Sequence, residues 1–331
     1  MSLKTNLIFF IAAAAILSFV AFQRNLVFIN EMMLWQDARD KSPFKARPHT
    51  NLGAALKSKW LIKDAEREFK IAVGIDPTDH DSAINLADIF RLHDQLKGAE
   101  AMLAALIRRY PTSPYGHNNL GNVYGDMRRY DDAVREYGIA LKLKPFFPDA
   151  HNNMAVIYKR EGRTNDALKE AVQAVSMIPD NPIYRNNLAL VLIDMGKFRE
   201  ALDELKIVER IAPEYPDIYE RMARLYDETN DIAEAISAAR KAVSRNPEDF
   251  KAHVSLGNIY KKANPEMAIK EYEKALEINP ACAEAHYNLA VTMEETGRQA
   301  EAARHYKMFI ENAPQELKGL AKKVKAHLEG R

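Results

Sequence analysis

The chain has 331 residues, enough for two ordinary domains, with 47 basic against 46 acidic side chains and a formal net charge of +1. That balance gives no support for nucleic-acid binding, which draws on a strong basic excess. A lone cysteine, Cys282, excludes an intramolecular disulfide and a metal site built on thiolates.

The first element is an uncharged, almost wholly apolar run from Leu7 to Phe22, bounded by Lys4 and Arg24. As a helix it would reach about 24 Å, slightly short of a hydrocarbon core of about 30 Å. A snorkelling Arg24 with Asn6 and Gln23 would cover the difference. Residues 1–24 are therefore expected to form an N-terminal transmembrane anchor. The rival is a cleaved signal peptide, but no small-x-small site follows the run, where the residues are Val20-Ala21-Phe22-Gln23.

The next 21 residues, 25–45, contain no Gly, and their only Pro is Pro43. Pro43 opens a ladder that continues through Pro77, Pro111, Pro145, Pro179, Pro213, Pro247, Pro280 and Pro314, every gap being 34 residues except one of 33. A fixed period of this size means one supersecondary unit copied and stacked. With Ala46 as position 1 of a unit, Pro77 is position 32. Position 7 then reads Leu52, Leu86, Leu120, Met154, Leu188, Met222, Leu256 and Leu289, and position 8 is always Gly or Ala. Position 11 is usually aromatic, as at Phe90, Tyr124, Tyr158, Tyr226 and Tyr260. Position 20 is Ala65, Ala99, Ala133, Ala167, Ala201, Ala235, Ala268 and Ala302.

Positions 4, 7, 8 and 11 fall on one stripe at 100° per residue. Small residues at 8 and 20 let two helices approach, while large ones at 7, 11 and 24 fill the space between units. Pro at 32 ends the second helix. This pattern resembles the tetratricopeptide repeat. The resemblance implies an all-α, right-handed superhelix of eight helix-turn-helix units over residues 46–316, binding other chains in its concave groove. Residues 30–42, with Trp35 and Ala38 in register, read as a lone second helix joining anchor to solenoid. Residues 317–331 read as a capping helix and tail, with Leu317, Leu320, Val324 and Leu328 on its apolar stripe and Lys318, Lys322 and Lys325 on its wet face.

Positions 2, 6, 9 and 13 share the opposite stripe. Six of the eight residues at position 6 are asparagine: Asn51, Asn85, Asn119, Asn153, Asn187 and Asn288, interrupted by Arg221 and Ser255. Asn is a mediocre helix former, and its carboxamide offers two donors and an acceptor. The ladder is similar to that in the repeats of O-linked N-acetylglucosamine transferases. That resemblance implies a grip on the backbone of an extended peptide. Duplication alone could also preserve the asparagines. Asn118, Asn152 and Asn186 lie at the edge of this stripe. Asn122 and Asn258 extend it at position 9, and Val156, Leu190 and Ile183 make a candidate apolar pocket. Around the sixth unit Asp217, Arg221, Arg224 and Glu228 are expected to pair with one another on a solvated face.

Five histidines, His49, His117, His151, His253 and His286, stand at position 4, spread along the units rather than converging, so they read as packing groups and not as metal ligands. No Gly-rich phosphate loop, HExxH or nucleophile motif occurs. Only 15 residues follow Glu316, too few for a catalytic domain. No enzyme activity, cofactor or small-molecule substrate is expected.

The segment from Arg24 to Gly53, with Leu34-Trp35-Gln36-Asp37, Lys41-Ser42-Pro43 and Ala46-Arg47-Pro48-His49, is similar to the membrane-to-repeat junction of transmembrane-and-tetratricopeptide O-mannosyltransferase-like proteins. This likeness implies repeats outside the cytoplasm. The Lys and Arg count around the apolar run argues for the opposite orientation. The expected function is a membrane-anchored adaptor holding a protein segment in its groove. The alternative is a structural or accessory subunit of a larger membrane complex, such as a glycosyltransferase system.

Overall fold

The computed structural model describes residues 31–330, and the apolar run 7–22 lies outside them. Among the described residues there are 18 α-helices, one short 3-10 turn and no strand, and no helix is long and apolar enough to cross a membrane. The helices alternate as the A and B members of successive repeats. They divide into two compact units, one ending at Arg163 and the other beginning at Thr164, so the boundary falls inside the fourth repeat.

The first unit holds the lone helix Glu31–Lys41, three full repeats, and the A helix Pro148–Arg160 of the fourth. The second holds the B helix Thr164–Met177, repeats five to eight, and a terminal helix Lys318–Glu329. In that last helix Ala321 and Val324 are buried, while Lys318, Lys322 and Lys325 are exposed.

The proline ladder acts where the sequence places it. The residue before each Pro is driven out of the helical region by the ring that follows. Asp76, Lys144, Ala212, Asn246 and Asn279 close their B helices with φ between −130° and −145°. The next A helix then opens on a favourable start. Ser113 accepts from Gly116 N ahead of Pro114, and Asn181 accepts from Ile183 N and Tyr184 N ahead of Pro182. Every Ala at position 20 has an exposure of 0%, so nothing larger than a methyl fits where A and B helices cross.

The A–B turn requires a left-handed residue. Trp60, Asp94, Arg128, Gly162, Gly196, Asn230 and Gly297 all have φ between 58° and 83°. The seventh repeat lacks this residue, which explains the single 33-residue gap. There Asn264 ends the A helix Phe250–Ala263 and directly caps the B helix Pro265–Ile278, accepting from Met267 N at 3.2 Å.

Candidate binding face

The A helices of neighbouring repeats touch one another throughout the first unit and from the sixth to the eighth repeat in the second, whereas the B helices do not. The A side is therefore the tighter, inner side, and it carries the position-6 residues. In the first unit a cleft of about 190 Å³ opens on it, lined by Arg91, Asn122, Asp126, Asn153, Val156 and Arg160, with Tyr137 at its floor. In the second unit a larger cleft of about 510 Å³ is lined by Arg224, Asp227, Ser255, Asn258 and Glu284 among others. Both clefts draw chiefly on register positions 6, 9 and 12, with 13 in the first and 2 in the second.

The first cleft brings together Asn122, Asn153 and Val156. Asn119 adjoins it, since Asn122 Nδ2 donates to Asn119 Oδ1 at 3.4 Å. Asn119 also donates to Tyr115 O at 3.0 Å, and Asn85 makes the same back-bond to Asp81 O at 2.9 Å. Asn85 Oδ1 accepts from Lys57 at 3.1 Å. Asn51 is half-buried on its helix. Ile183, Asn187 and Leu190 belong to the second unit, where Ile183 is 52% exposed and the other two are half-buried. Asn288 donates to Asn258 Oδ1 at 2.8 Å.

The asparagines thus hold the repeats to one another as well as facing outward. Asn153 donates to Asn118 of the previous repeat at 3.3 Å, and Arg221 donates to Asn186 in the same way. Asn118, Asn152 and Asn186 are buried rather than at an open edge. The charged stripe of the sixth repeat is arranged differently from expectation: Arg221 turns to Asn186, and Asp227 pairs with Lys262 at 2.6 Å. Burial lowers the Arg221 guanidinium from its ordinary value, with Asp217 opposing that shift.

Two pairings were not anticipated from the sequence. Tyr137 Oη donates to Asn122 Oδ1 at 2.7 Å, and Tyr272 Oη donates to Asn258 Oδ1 at 2.8 Å. Each ring fills a gap left by glycine, since a Cβ at Gly121 or Gly257 would sit 2.6 or 2.5 Å from ring carbons. The first repeat repeats the pattern without the hydroxyl: Phe69 crosses Gly53, and position 9 is Ala54. Burial raises the Tyr137 and Tyr272 hydroxyls well above the usual range, as expected for phenols held neutral.

The second pairing gives the histidines their role. His49, His117 and His253 meet Glu68, Glu136 and Glu271 through Nδ1 at 2.6, 2.7 and 2.8 Å. Their Nε2 atoms meet the carbonyls of Pro43, Pro111 and Pro247 at 3.0 to 3.1 Å. Each ring thus bridges a carboxylate of its own B helix and the proline carbonyl that precedes its A helix. In the fifth repeat Arg185 replaces His and reaches both Glu204 and Pro179 O. The signal was present in the sequence. Glu stands at position 23 in five of the six repeats with His or Arg at position 4, and His305 in the sixth of them, but Ala83 and Tyr219 go with Met102 and Ala238. Among the described residues no group of His, Cys, Asp and Glu could hold a metal ion.

The family described as "Tetratricopeptide repeat" matches residues 81–113, 118–182, 192–256 and 284–316, and "TPR repeat" matches residues 266–297. The chain is a tetratricopeptide repeat protein. Among solved structures it is similar to the C-terminal part of a TPR repeat-containing protein from Cytophaga hutchinsonii, at 16% identity and a TM-score of 0.62, covering 72% of this chain and 98% of that one. It is also similar to the Cut9-Hcn1 hetero-tetramer of APC/C, at 16% identity and a TM-score of 0.55, covering 83% of this chain and 55% of that one. A third likeness is to Pseudomonas aeruginosa pilF, at 17% identity and a TM-score of 0.53, covering 63% of this chain and 94% of that one. At these identities the likenesses establish the tetratricopeptide fold and carry no function. No curated protein matches the sequence. The glycosyltransferase likenesses of the asparagine ladder and the junction gain nothing from these matches, which concern the repeat itself.

Proposed function

We propose that this tetratricopeptide protein is an adaptor that holds an extended polypeptide along its A-helix face, anchored to a membrane through residues 7–22. The observation that carries the reading is the first unit's cleft. It puts the carboxamides of Asn122 and Asn153, the apolar Val156, and the cations Arg91 and Arg160 around one opening. Carboxamides can match a peptide backbone's alternating donors and acceptors, while Val156 and the arginines discriminate side chains. Asn51, Asn85, Asn119, Asn187 and Asn288 would extend the same contact along the register. The proposed orientation places the repeats outside the cytoplasm.

The Asn153-to-Asn118 bond also supports a simpler reading, in which the ladder only fastens repeats. Changing Asn119, Asn153 and Asn187 together to Ala separates the two. The adaptor reading expects loss of the partner recovered by crosslinking pull-down from native membranes, with helical content and cooperative melting retained. Undiminished recovery by a folded triple variant would count against the ladder. An alkaline phosphatase fusion at Arg331 tests the orientation, and its inactivity beside a fluorescent cytoplasmic fusion would reverse it.

A further inference from the structure

The A–B turn recurs in nearly identical form, so each copy serves as a control for the others. Its left-handed residue is Gly, Asn or Asp in five of the seven repeats that have it, types that tolerate φ above zero. The residue that follows is Gln95, Arg129, Arg163, Lys197, Asp231 or Arg298, always polar. The first repeat breaks both habits with Trp60, at φ 60°, and Leu61. A bulky aromatic carries a steric cost there that glycine avoids. Nor does burial compensate, since Trp60 is 80% exposed and Leu61 44%.

The position of this tip is informative. The lone helix Glu31–Lys41 runs antiparallel to the A helix Ala46–Ser58, to which it is joined by four residues, 42–45. Its start therefore lies at the end of the unit where the A helix finishes. Met32, near that start, packs on the same core cluster as Leu56 and Ile62, which flank the tip. Only eight residues, 23–30, separate Phe22 from Glu31, so the apolar run ends within about 30 Å of that start even if the link is fully extended. Lys59 and Lys63 flank the tip and are exposed, and Asp64 is occupied by Arg67 at 2.8 Å.

We infer that Lys59-Trp60-Leu61 is an interfacial foot that rests on the lipid headgroup layer beside the anchor, fixing the tilt of the first unit against an anionic membrane surface. The inference rests on residues 7–22 being inserted. Tryptophan is enriched at this level of a bilayer because its ring is apolar and its N–H polar. Lysine stems lie along apolar surface while their ammonium groups meet anionic headgroups. The occupant is a lipid surface, and a protein on the same tip is an outcome of the test.

The full chain is reconstituted in phosphatidylcholine–phosphatidylserine vesicles carrying a brominated acyl chain. The two tryptophans, Trp35 and Trp60, are separated by single substitutions. Flotation of the protein with the vesicles tests the anchor. In floated protein, Trp35→Phe, which leaves Trp60 as reporter, loses most of its emission to the bromolipid, whereas Trp60→Phe, reporting through Trp35, keeps it. A third variant combines Trp35→Phe, Trp60→Phe and Phe44→Trp. It puts the reporter in the loop at the unit's opposite end, where Phe44 is 89% exposed, and should stay unquenched. Flotation with Trp60 unquenched and open to aqueous iodide would overturn the foot while leaving the anchor standing. Equal quenching at position 44 would overturn the orientation on which the foot depends. Trp60 shielded only after membrane-extract protein is added, with no bromolipid quenching, would assign the tip to a protein and overturn the inference. Failure to float would remove both.

Discussion

The third repeat (114–147) and the sixth (216–249) fill the same backbone by opposite means. In the third, Gly121 leaves a gap, Tyr137 fills it, and Asn122 satisfies the buried hydroxyl. His117 ties Glu136 to the preceding proline carbonyl, and Ser113 caps a 13-residue A helix. In the sixth, Ala223 and Ala239 occupy the packing positions and are buried. Tyr219 stands where His would be and lies under Lys241 and Arg245, 5.3 and 5.5 Å from its ring centroid. The A helix has only 11 residues and begins after Asp217, at φ 54° and without a side-chain cap. One repeat is fastened by specific polar pairs around a large buried ring, the other by small-residue contact with charged pairs about its surface. How each repeat is filled is thus set by a few register positions, not by the fold.

The largest break in this contrast is expected from Tyr137→Ala. Emptying a fully buried ring costs about 3–5 kcal/mol, and it also removes the partner of Asn122. Ala239→Gly in the sixth repeat should cost only about 1 kcal/mol, the helix-propensity difference. Equal losses on thermal or denaturant unfolding would remove the distinction. Gly121→Ala should cost about 1–3 kcal/mol, since the added Cβ meets ring carbons 2.6 Å away in a packed interior. Asp217→Gly should work in the other direction: relief of the left-handed φ, about 1–2 kcal/mol for an L residue, outweighs the backbone entropy that glycine adds to the unfolded chain, for a small net gain. Slower amide exchange across residues 218–228 is the readout, and unchanged exchange would show that the short helix has another cause.

A smaller effect separates the two units by pH. His305 Nδ1 lies 3.0 Å from His286 Nδ1, and burial together with the His286 charge lowers the His305 pKa. The folded form therefore binds its proton less readily than the unfolded chain, whose histidines titrate near about 6.5. The stability this confers is fully present above that pH and is lost as the pH falls below it toward the folded value. Exchange in the eighth repeat should accelerate on acidification, and His305→Phe should blunt the response.

The period, the helix pairs and the small-residue crossings were legible in the sequence, because each rests on one position recurring every 34 residues. Of the pairings, that of positions 4 and 23 left a trace only in which residues recur together across repeats, because paired positions lie 15 or 19 apart and meet only after the helices fold back. His117 read as a packing group, which is half its role, and nothing local indicated that Glu136 would meet it. Asn122 read as a ligand contact, whereas its oxygen already serves Tyr137. The left-handed turn was hidden as well, since Trp60, Arg128 and Gly162 share no chemistry, only a backbone position. Of the asparagine ladder, the register proved legible, while its bonds between repeats depended on neighbouring helices.

Site-specific photocrosslinking tests the central claim most directly. A benzoylphenylalanine is introduced at Val156 in the first unit's cleft and, separately, at Arg135, exposed on a B helix, in the full chain in native membranes. The account predicts a discrete protein adduct from position 156, reduced when Asn119 and Asn153 are changed to Ala, and none from position 135. An adduct from position 135 with none from 156 would place the partner on the outer face and contradict the account.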